Sequence, residues 1–228
     1  MNYLALGDSI TYGHSPKTKE LPFPIHVQAL LAQASPVQLR LHAKPGWTSS
    51  KLLRSLSVSA DRFCEAPRLA TIIIGGNDVI KHTLPLLTGR VAGLHAASEQ
   101  LFDNVMKMIN QIAQPNTTIL LGTLYNPFPN WWVMETVTEM INKTIRKISM
   151  MENVHLLDLE QLFRGNEKEW IDGYRYGRFL DLRPIGNPIH PNLAGHRAIA
   201  EEIVRVYQNI LYTMDASMYN ETAVSNVL

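Results

Sequence analysis

Cysteine is almost absent from this chain of 228 residues, since Cys64 is the only one. An internal disulfide and a cysteine-based metal cluster are therefore excluded, which is typical of a protein in a reducing compartment. Charges of opposite sign are nearly balanced, with 21 Lys and Arg against 20 Asp and Glu. Because no net field attracts nucleic acid or an anionic membrane surface, we expect a small neutral partner. The lone thiol is expected to be buried rather than reactive.

Long hydrophobic runs and targeting patterns are also missing. No apolar stretch approaches the ~20 residues that a membrane-spanning helix needs, and no basic segment followed by an apolar core opens the chain. We therefore expect a soluble, cytoplasmic protein. The His-Glu-x-x-His spacing, the G-x-G-x-x-G and phosphate-loop motifs and the G-x-S-x-G elbow do not occur, so the motifs indicate no metal or organic cofactor.

Strand-like and helix-like segments alternate along the whole chain. Short apolar runs predict strands at 3–6, 37–43, 69–75, 118–122 and 154–159, and periodic stretches predict helices at 25–34, 49–56, 94–113, 134–151 and 193–212. This alternation predicts a three-layer α/β/α sandwich around a five-stranded parallel sheet. We expect one domain over residues 1–213, followed by a tail, 214–228, that lacks helical periodicity.

Two irregular segments, 122–132 and 165–191, interrupt the alternation and are candidates for pocket walls. Four aromatic residues lie after the second and fourth predicted strands: Trp47, Phe128, Trp131 and Trp132. They are compatible with ordinary core packing and equally with the lining of an acyl or alcohol pocket.

Polar turns follow three of the predicted strands, at the edge where open α/β sheets bind ligands. Ser9 ends a Gly-Asp-Ser tripeptide after the first strand, so its hydroxyl is a candidate nucleophile and its backbone N–H a candidate oxyanion donor. Gly46 follows the second strand, where the lack of a Cβ lets a backbone N–H approach a ligand. Asn77 follows the third strand and offers an amide donor. His190 stands between two prolines before the last helix and is a candidate general base.

These four blocks, in this order, resemble the SGNH (GDSL-type) hydrolases over about residues 2–212. The resemblance implies a flavodoxin-like SGNH hydrolase fold and ester hydrolysis through an acyl-enzyme, without a cofactor. It assigns Ser9 as nucleophile, His190 as base, and the Ser9 and Gly46 N–H groups and the Asn77 side chain as the oxyanion hole. The substrate would be a small ester, such as a lipid or an acetylated sugar, and the oligomeric state stays open.

One position departs from the family pattern, which has Asp three residues before the histidine where this chain has Asn187. An amide can accept a bond from the imidazole but supplies no counter-charge, and the same exchange costs about 10⁴ in rate in a serine protease. Three hypotheses follow. The protein uses a Ser-His dyad helped by Asn187 or a backbone carbonyl, it recruits Asp181 or Asp172 as the acid, or it is an impaired relative that binds an acylated ligand or partner.

Two carboxylates lie beside the candidate site residues. Asp8 precedes Ser9 and Asp78 follows Asn77. Since short acidic side chains readily accept nearby backbone N–H bonds, we expect both to brace their turns rather than to act as catalytic acids.

Overall fold

A single five-stranded sheet forms the centre of the protein in the computed structural model, which describes residues 1–13, 21–58, 66–183 and 186–225. The strands are β1 (Asn2–Gly7), β2 (Gln38–Ala43), β3 (Leu69–Ile73), β4 (Thr118–Gly122) and β5 (Val154–Leu157). Their order is β2-β1-β3-β4-β5, and every neighbouring pair is parallel. This confirms the predicted parallel sheet. Cys64 lies outside the described residues.

Helices connect the strands. They are α1 (Ser9–Tyr12), α2 (Phe23–Leu31), α3 (Ser49–Val58), α4 (Gly76–Leu86), α5 (Ala92–Ile112), α6 (Trp132–Ile148), α7 (Leu159–Phe163), α8 (Glu167–Trp170) and α9 (Leu193–Ser225), with a 3₁₀ turn at Phe179–Asp181. In the part of the chain that the structure describes, no helix is long and apolar enough to span a membrane.

Both faces of the sheet are covered, as the alternating side chains of β1 illustrate. Leu4 and Leu6 are buried in a core shared with α3, α4, α5 and α6, whereas Tyr3 and Ala5 point into a second core with α2, α7 and α9. A strand buried on both faces reads as a nearly continuous apolar run, which is why the central strands are recognisable in the sequence. The arrangement is the expected α/β/α sandwich.

Several helical features differ from the sequence-based expectation. Helices α1, α4, α7 and α8 are not among the predicted helices, and the longest of these, α4, begins at Gly76 and carries Pro85 in its last turn. Helix α9 does not end near residue 212 but continues to Ser225, so the predicted helix 193–212 is too short at its C-terminal end. The chain after Gly195 contains no glycine or proline, so nothing there interrupts a helix.

The strand order places a topological switch point between β1 and β3. From β1 the chain moves to β2, towards one edge of the sheet. From β3 it moves to β4, towards the opposite edge. The diverging connections leave a crevice at the carboxyl ends of β1 and β3, which is where sheets of this order bind their ligands. The turns that carry Ser9 and Asn77 both border this crevice.

Candidate active site

Ser9 is presented by a tight turn between β1 and α1. Asp8 is the N-cap of α1, and its Oδ1 accepts a hydrogen bond from the Ile10 N–H at 3.0 Å, which confirms its expected bracing role. Glycine is required at position 7 because neighbouring atoms approach its Cα closely. A Cβ there would collide with the Thr11 hydroxyl and lie 2.6 Å from the Ile73 carbonyl oxygen. Ser9 is thereby fixed as the first residue of α1, where backbone N–H groups have no intrahelical partner.

His190 meets Ser9 across a sequence separation of 181 residues. Its Nε2 lies 2.9 Å from the Ser9 Oγ, a distance at which a neutral imidazole nitrogen can accept the hydroxyl proton. The backbone around the histidine is held on two sides. The Asp172 N–H donates to the His190 carbonyl at 2.9 Å, and the Tyr125 hydroxyl donates to the Ile189 carbonyl at 2.6 Å.

Asn77 joins the turns that follow three strands. Its Nδ2 donates to the Asp8 Oδ2 at 3.1 Å and to the Trp47 carbonyl at 3.0 Å. The first partner lies after β1 and the second after β2, while Asn77 itself follows β3. Because a primary amide has two hydrogens, both are used inside the protein in this state.

Gly46 lies in the turn between β2 and α3. The Trp47 N–H bonds to the Lys44 carbonyl at 3.2 Å, and Gly46 occupies the left-handed region with φ of 75°. This φ fits the third position of a type II turn with a preceding proline, a position that favours glycine. Nothing lies within 4 Å of a Cβ built on Gly46, so backbone conformation rather than crowding explains the glycine.

The carboxyl group of Asp8 is buried beneath the nucleophile. Burial raises the pKa of Asp8 to about 7, and the nearby charge of Asp78 contributes to the rise, while the bonds from Ile10 and Asn77 oppose it. A carboxyl group with this pKa changes its charge near neutrality, directly beside Ser9. No sequence motif or residue spacing indicated the raised pKa of Asp8, because the shift arises from burial in the folded protein.

Asp78 braces the neighbouring helix. Its two carboxylate oxygens accept the Ser49 N–H at 3.1 and 2.9 Å, and the Ser49 hydroxyl donates to Oδ1 at 2.5 Å. The Asn104 amide then donates to the Ser49 hydroxyl at 2.8 Å. The expectation that Asp78 is a structural brace is confirmed, since it satisfies the N–H of the first residue of α3.

The candidates for the third catalytic group lie in different environments. The Asn187 Oδ1 accepts the Arg183 N–H at 2.7 Å, and the Asp181 carboxylate accepts the N–H groups of Tyr176 and Arg178 at 2.9 and 3.0 Å. Although burial raises the pKa of Asp181, these backbone donors outweigh it and the net pKa is lowered. Asp172 is half-buried, and its backbone N–H bonds to the His190 carbonyl, so the main chain of this recruited-acid candidate lies beside that of the histidine.

The four aromatic residues expected near the pocket do not line the cavity beside Ser9. Phe128 and Trp131 are buried in the core, edge to face with ring centroids 6.2 Å apart, and Trp132 is 59% exposed on the surface. Trp47 borders a separate groove. The walls of the cavity beside Ser9 are mainly aliphatic, and Tyr125 is an aromatic member of its lining.

Comparison with known families agrees with this geometry. The profile of the GDSL-like lipase/acylhydrolase family matches residues 5–198. The chain belongs to this family. The resemblance to GDSL-type hydrolases is thereby confirmed, and at family level the protein is an ester hydrolase. No curated protein sequence matches the chain.

Several solved structures share the GDSL-family fold of this chain. The lipase Lip_vut3 from a goat rumen metagenome superimposes with a TM-score of 0.75 at 22% identity, covering 91% of this chain and 97% of that one. A lipolytic G-D-S-L family protein from Veillonella parvula gives 0.63 at 15% identity, with coverages of 91% and 98%. Axe2, an acetylxylan esterase from Geobacillus stearothermophilus, gives 0.61 at 20% identity, with coverages of 90% and 93%. At these identities the likeness concerns the fold alone.

Sequence reasoning missed Tyr125 in this GDSL-family chain. The residue lies in the irregular segment 122–132, which was expected to form a pocket wall, but its bond to Ile189 depends on the packing of two distant loops. Its ring is buried and stacks on Phe163, with centroids 4.1 Å apart. A tyrosine three residues after the end of a parallel strand was the available signal. Among the described residues, no cluster of three or more His, Cys, Asp or Glu side chains could hold a metal ion.

Proposed function

We propose that the protein is a serine esterase that cleaves small carboxylic esters through an acyl-enzyme intermediate. The observation that carries the proposal is the 2.9 Å distance between Ser9 Oγ and His190 Nε2 at the switch point of the sheet. A hydroxyl becomes a useful nucleophile when a neighbouring base takes its proton. Family membership supports ester hydrolysis, and the roles of individual residues are the part proposed here.

The reaction proceeds in two steps. Ser9 Oγ attacks the ester carbonyl while His190 Nε2 takes the hydroxyl proton, and a C–O bond to Ser9 forms. Collapse of the tetrahedral intermediate breaks the ester bond, and His190 gives the proton to the departing alcohol. Water then attacks the acyl group on Ser9, again losing its proton to His190, and the carboxylic acid leaves as Ser9 recovers its proton. The chain's own residues carry every proton in this scheme.

The oxyanion is held by the N–H groups of Ser9 and Gly46 and by the Asn77 side chain. Within the described residues, neither backbone N–H donates a hydrogen bond to the protein. The Asn77 amide already donates to Asp8 and Trp47, so it must share or release one of these bonds when the oxyanion forms. Removal of one such donor typically costs on the order of 10² to 10³ in kcat.

Binding without turnover is the alternative function, and Asn187 is the observation that favours it. Its Oδ1 is bonded to the Arg183 N–H, and Asn187 supplies no negative charge near His190. A protein of this kind would bind an acylated ligand or partner at the same crevice. The Ser9 hydroxyl would then be a binding group rather than a nucleophile.

Hydrolysis of p-nitrophenyl butyrate by the purified protein distinguishes the two functions. We expect Ser9→Ala and His190→Ala each to lower kcat/KM by on the order of 10⁴ or more. Exposed residues supply matched controls, and Ser57→Ala and His95→Ala should keep wild-type rates. A fluorophosphonate should label the wild type and fail to label Ser9→Ala. A folded protein that neither turns over esters nor reacts with the fluorophosphonate would contradict the proposal.

A further inference from the structure

An apolar cavity of about 110 Å³ has Ser9 in its lining. It lies between the ends of β3 and β4 on one side and helices α4 and α6 on the other. Asp8 and His190 border it beside Ser9, and no lysine, arginine or glutamate side chain lines it in the described parts of the chain. The cavity therefore suits an uncharged apolar group attached to the reacting carbon.

The walls of the cavity are buried core residues. Ile73, Val79 and Val137 are each at most 3% exposed, so this part of the lining belongs to the protein core, whereas Ile80 on the same lining is 57% exposed. Three threonines line the cavity. Thr83 bonds to the Val79 carbonyl and Thr123 to the Asp158 carboxylate, and Thr138 is buried on α6. An occupant consequently meets mainly hydrocarbon.

We propose that this cavity holds the acyl chain of the ester and selects straight aliphatic chains of about four carbons. The inference rests on the proposed function. During the reaction the acyl group stays bonded to Ser9, whereas the alcohol must depart before water attacks. A cavity walled largely by core residues suits the group that stays.

An open groove is available for the departing alcohol. It is lined by Tyr12, Leu41, Lys44 and Trp47, and the first two are 49% and 39% exposed. The Trp47 carbonyl accepts a bond from Asn77, which lines the cavity, so one hydrogen bond links the groove lining to the cavity lining. The alcohol can leave through this groove without crossing the acyl chain.

The cavity volume sets the expected chain length. An apolar cavity of ~150 Å³ holds the six carbons of benzene, so 110 Å³ corresponds to about four carbons by the same ratio. Each methylene that enters raises kcat/KM about fourfold. Butyryl esters should therefore be turned over about tenfold or more faster than acetyl esters, and octanoyl esters more slowly than butyryl esters because the longer chain exceeds the cavity volume.

Hydrolysis of p-nitrophenyl acetate, butyrate, octanoate and laurate measures this preference. We expect a maximum of kcat/KM at butyrate. Val137→Leu should shift the maximum toward acetate by narrowing the cavity, while Met134→Ala should shift it toward octanoate by widening it. Thr136→Leu changes the neighbouring position on α6, which does not line the cavity, and should leave the profile as in the wild type.

A pair of isomeric esters separates the acyl from the alcohol assignment. Methyl butyrate should be hydrolysed faster than propyl acetate, and the opposite preference would overturn the proposal by placing the alcohol in the cavity. A flat acyl-length profile that neither cavity variant moves would overturn it as well.

A ligand-binding measurement keeps this inference distinct from the proposed function. If no ester is hydrolysed, the serine esterase proposal fails. Binding of a carboxylate in the cavity is then measured by the change in melting temperature alone. Sodium butyrate should stabilise the protein more than acetate or octanoate, and Val137→Leu should remove that difference. Equal shifts for the three carboxylates would show that the cavity does not select a chain of this length.

Discussion

The Tyr125 hydroxyl donates a 2.6 Å hydrogen bond to the carbonyl of Ile189, the residue directly before His190. This bond ties the loop after β4 to the loop that carries the candidate base, across 64 residues of sequence. Tyr125 is buried and its ring stacks on Phe163, so the donor itself has little freedom. We infer that Tyr125 is a positioning residue for the imidazole.

Tyr125→Phe should therefore lower kcat about tenfold and change KM less than twofold. The ring and its packing remain, and only the bond that fixes the Ile189 carbonyl is lost, which costs about 1 kcal/mol of stability. Steady-state kinetics with p-nitrophenyl butyrate, together with the melting temperature, measure both effects. Tyr212→Phe removes an exposed hydroxyl on α9 and serves as the control. A loss of stability with kcat unchanged would assign Tyr125 a purely structural role.

Asn187→Asp should raise kcat/KM at least about tenfold at pH 7.5. One carboxylate oxygen can keep the bond from the Arg183 N–H, and the new charge stabilises the imidazolium that forms when His190 takes the proton. The comparison with wild type uses p-nitrophenyl butyrate. An unchanged rate would indicate that the charge does not reach His190 and that the acid is supplied elsewhere, with Asp172→Asn as the next variant to assay.

Asp8→Asn should gain stability relative to wild type as the pH rises. The folded-state pKa of Asp8 is raised to about 7 by burial, above its value of ~3.9 in an unfolded chain. The folded protein thus holds a proton that the unfolded chain has released, so wild-type stability falls as the pH increases through this interval. Asparagine cannot ionise and avoids this loss, which amounts to ~2 to 3 kcal/mol between pH 5 and pH 8.

Urea unfolding at pH 5 and pH 8 measures this difference for Asp8→Asn. The exposed Asp103→Asn on α5 is the matched control and should show a difference from wild type that is independent of pH. A pH-independent difference for Asp8→Asn too would show that Asp8 is ionised throughout this range.

Asn142→Leu should destabilise the protein by ~3 kcal/mol. Asn142 is completely buried on α6, where its side chain accepts the Leu124 N–H and donates to the Leu124 carbonyl, both at 2.8 Å. Leucine has a similar size but leaves these two backbone groups unpaired inside the protein. Urea denaturation gives the free energy of unfolding. Lys143→Met breaks an exposed ion pair with Glu139 on the same helix and should leave the free energy of unfolding near the wild-type value. Equal losses of stability in both variants would refute the argument.

The elements that could be predicted from the sequence are those whose signal is local. Strand β4 begins and ends where the apolar run 118–122 does, and the other strands differ by at most two residues at either end. Helix α4 was missed because glycine and proline are weak helix formers, yet packing against α5 and α6 stabilises it. The sequence could not assign Phe128 and Trp131 to the core or to a pocket, since an aromatic residue after a strand suits either equally.

The sequence by itself determined the alternation of strands and helices, the parallel sheet, and the candidate residues Ser9, Gly46, Asn77 and His190. Periodicity and turn chemistry act within a few residues, so they can be read without coordinates. Only the tertiary structure decided that His190 reaches Ser9, that Asn187 bonds to Arg183, and that mainly aliphatic side chains line the cavity beside Ser9. These relationships depend on how distant segments pack together, and the sequence-local rules do not contain that information.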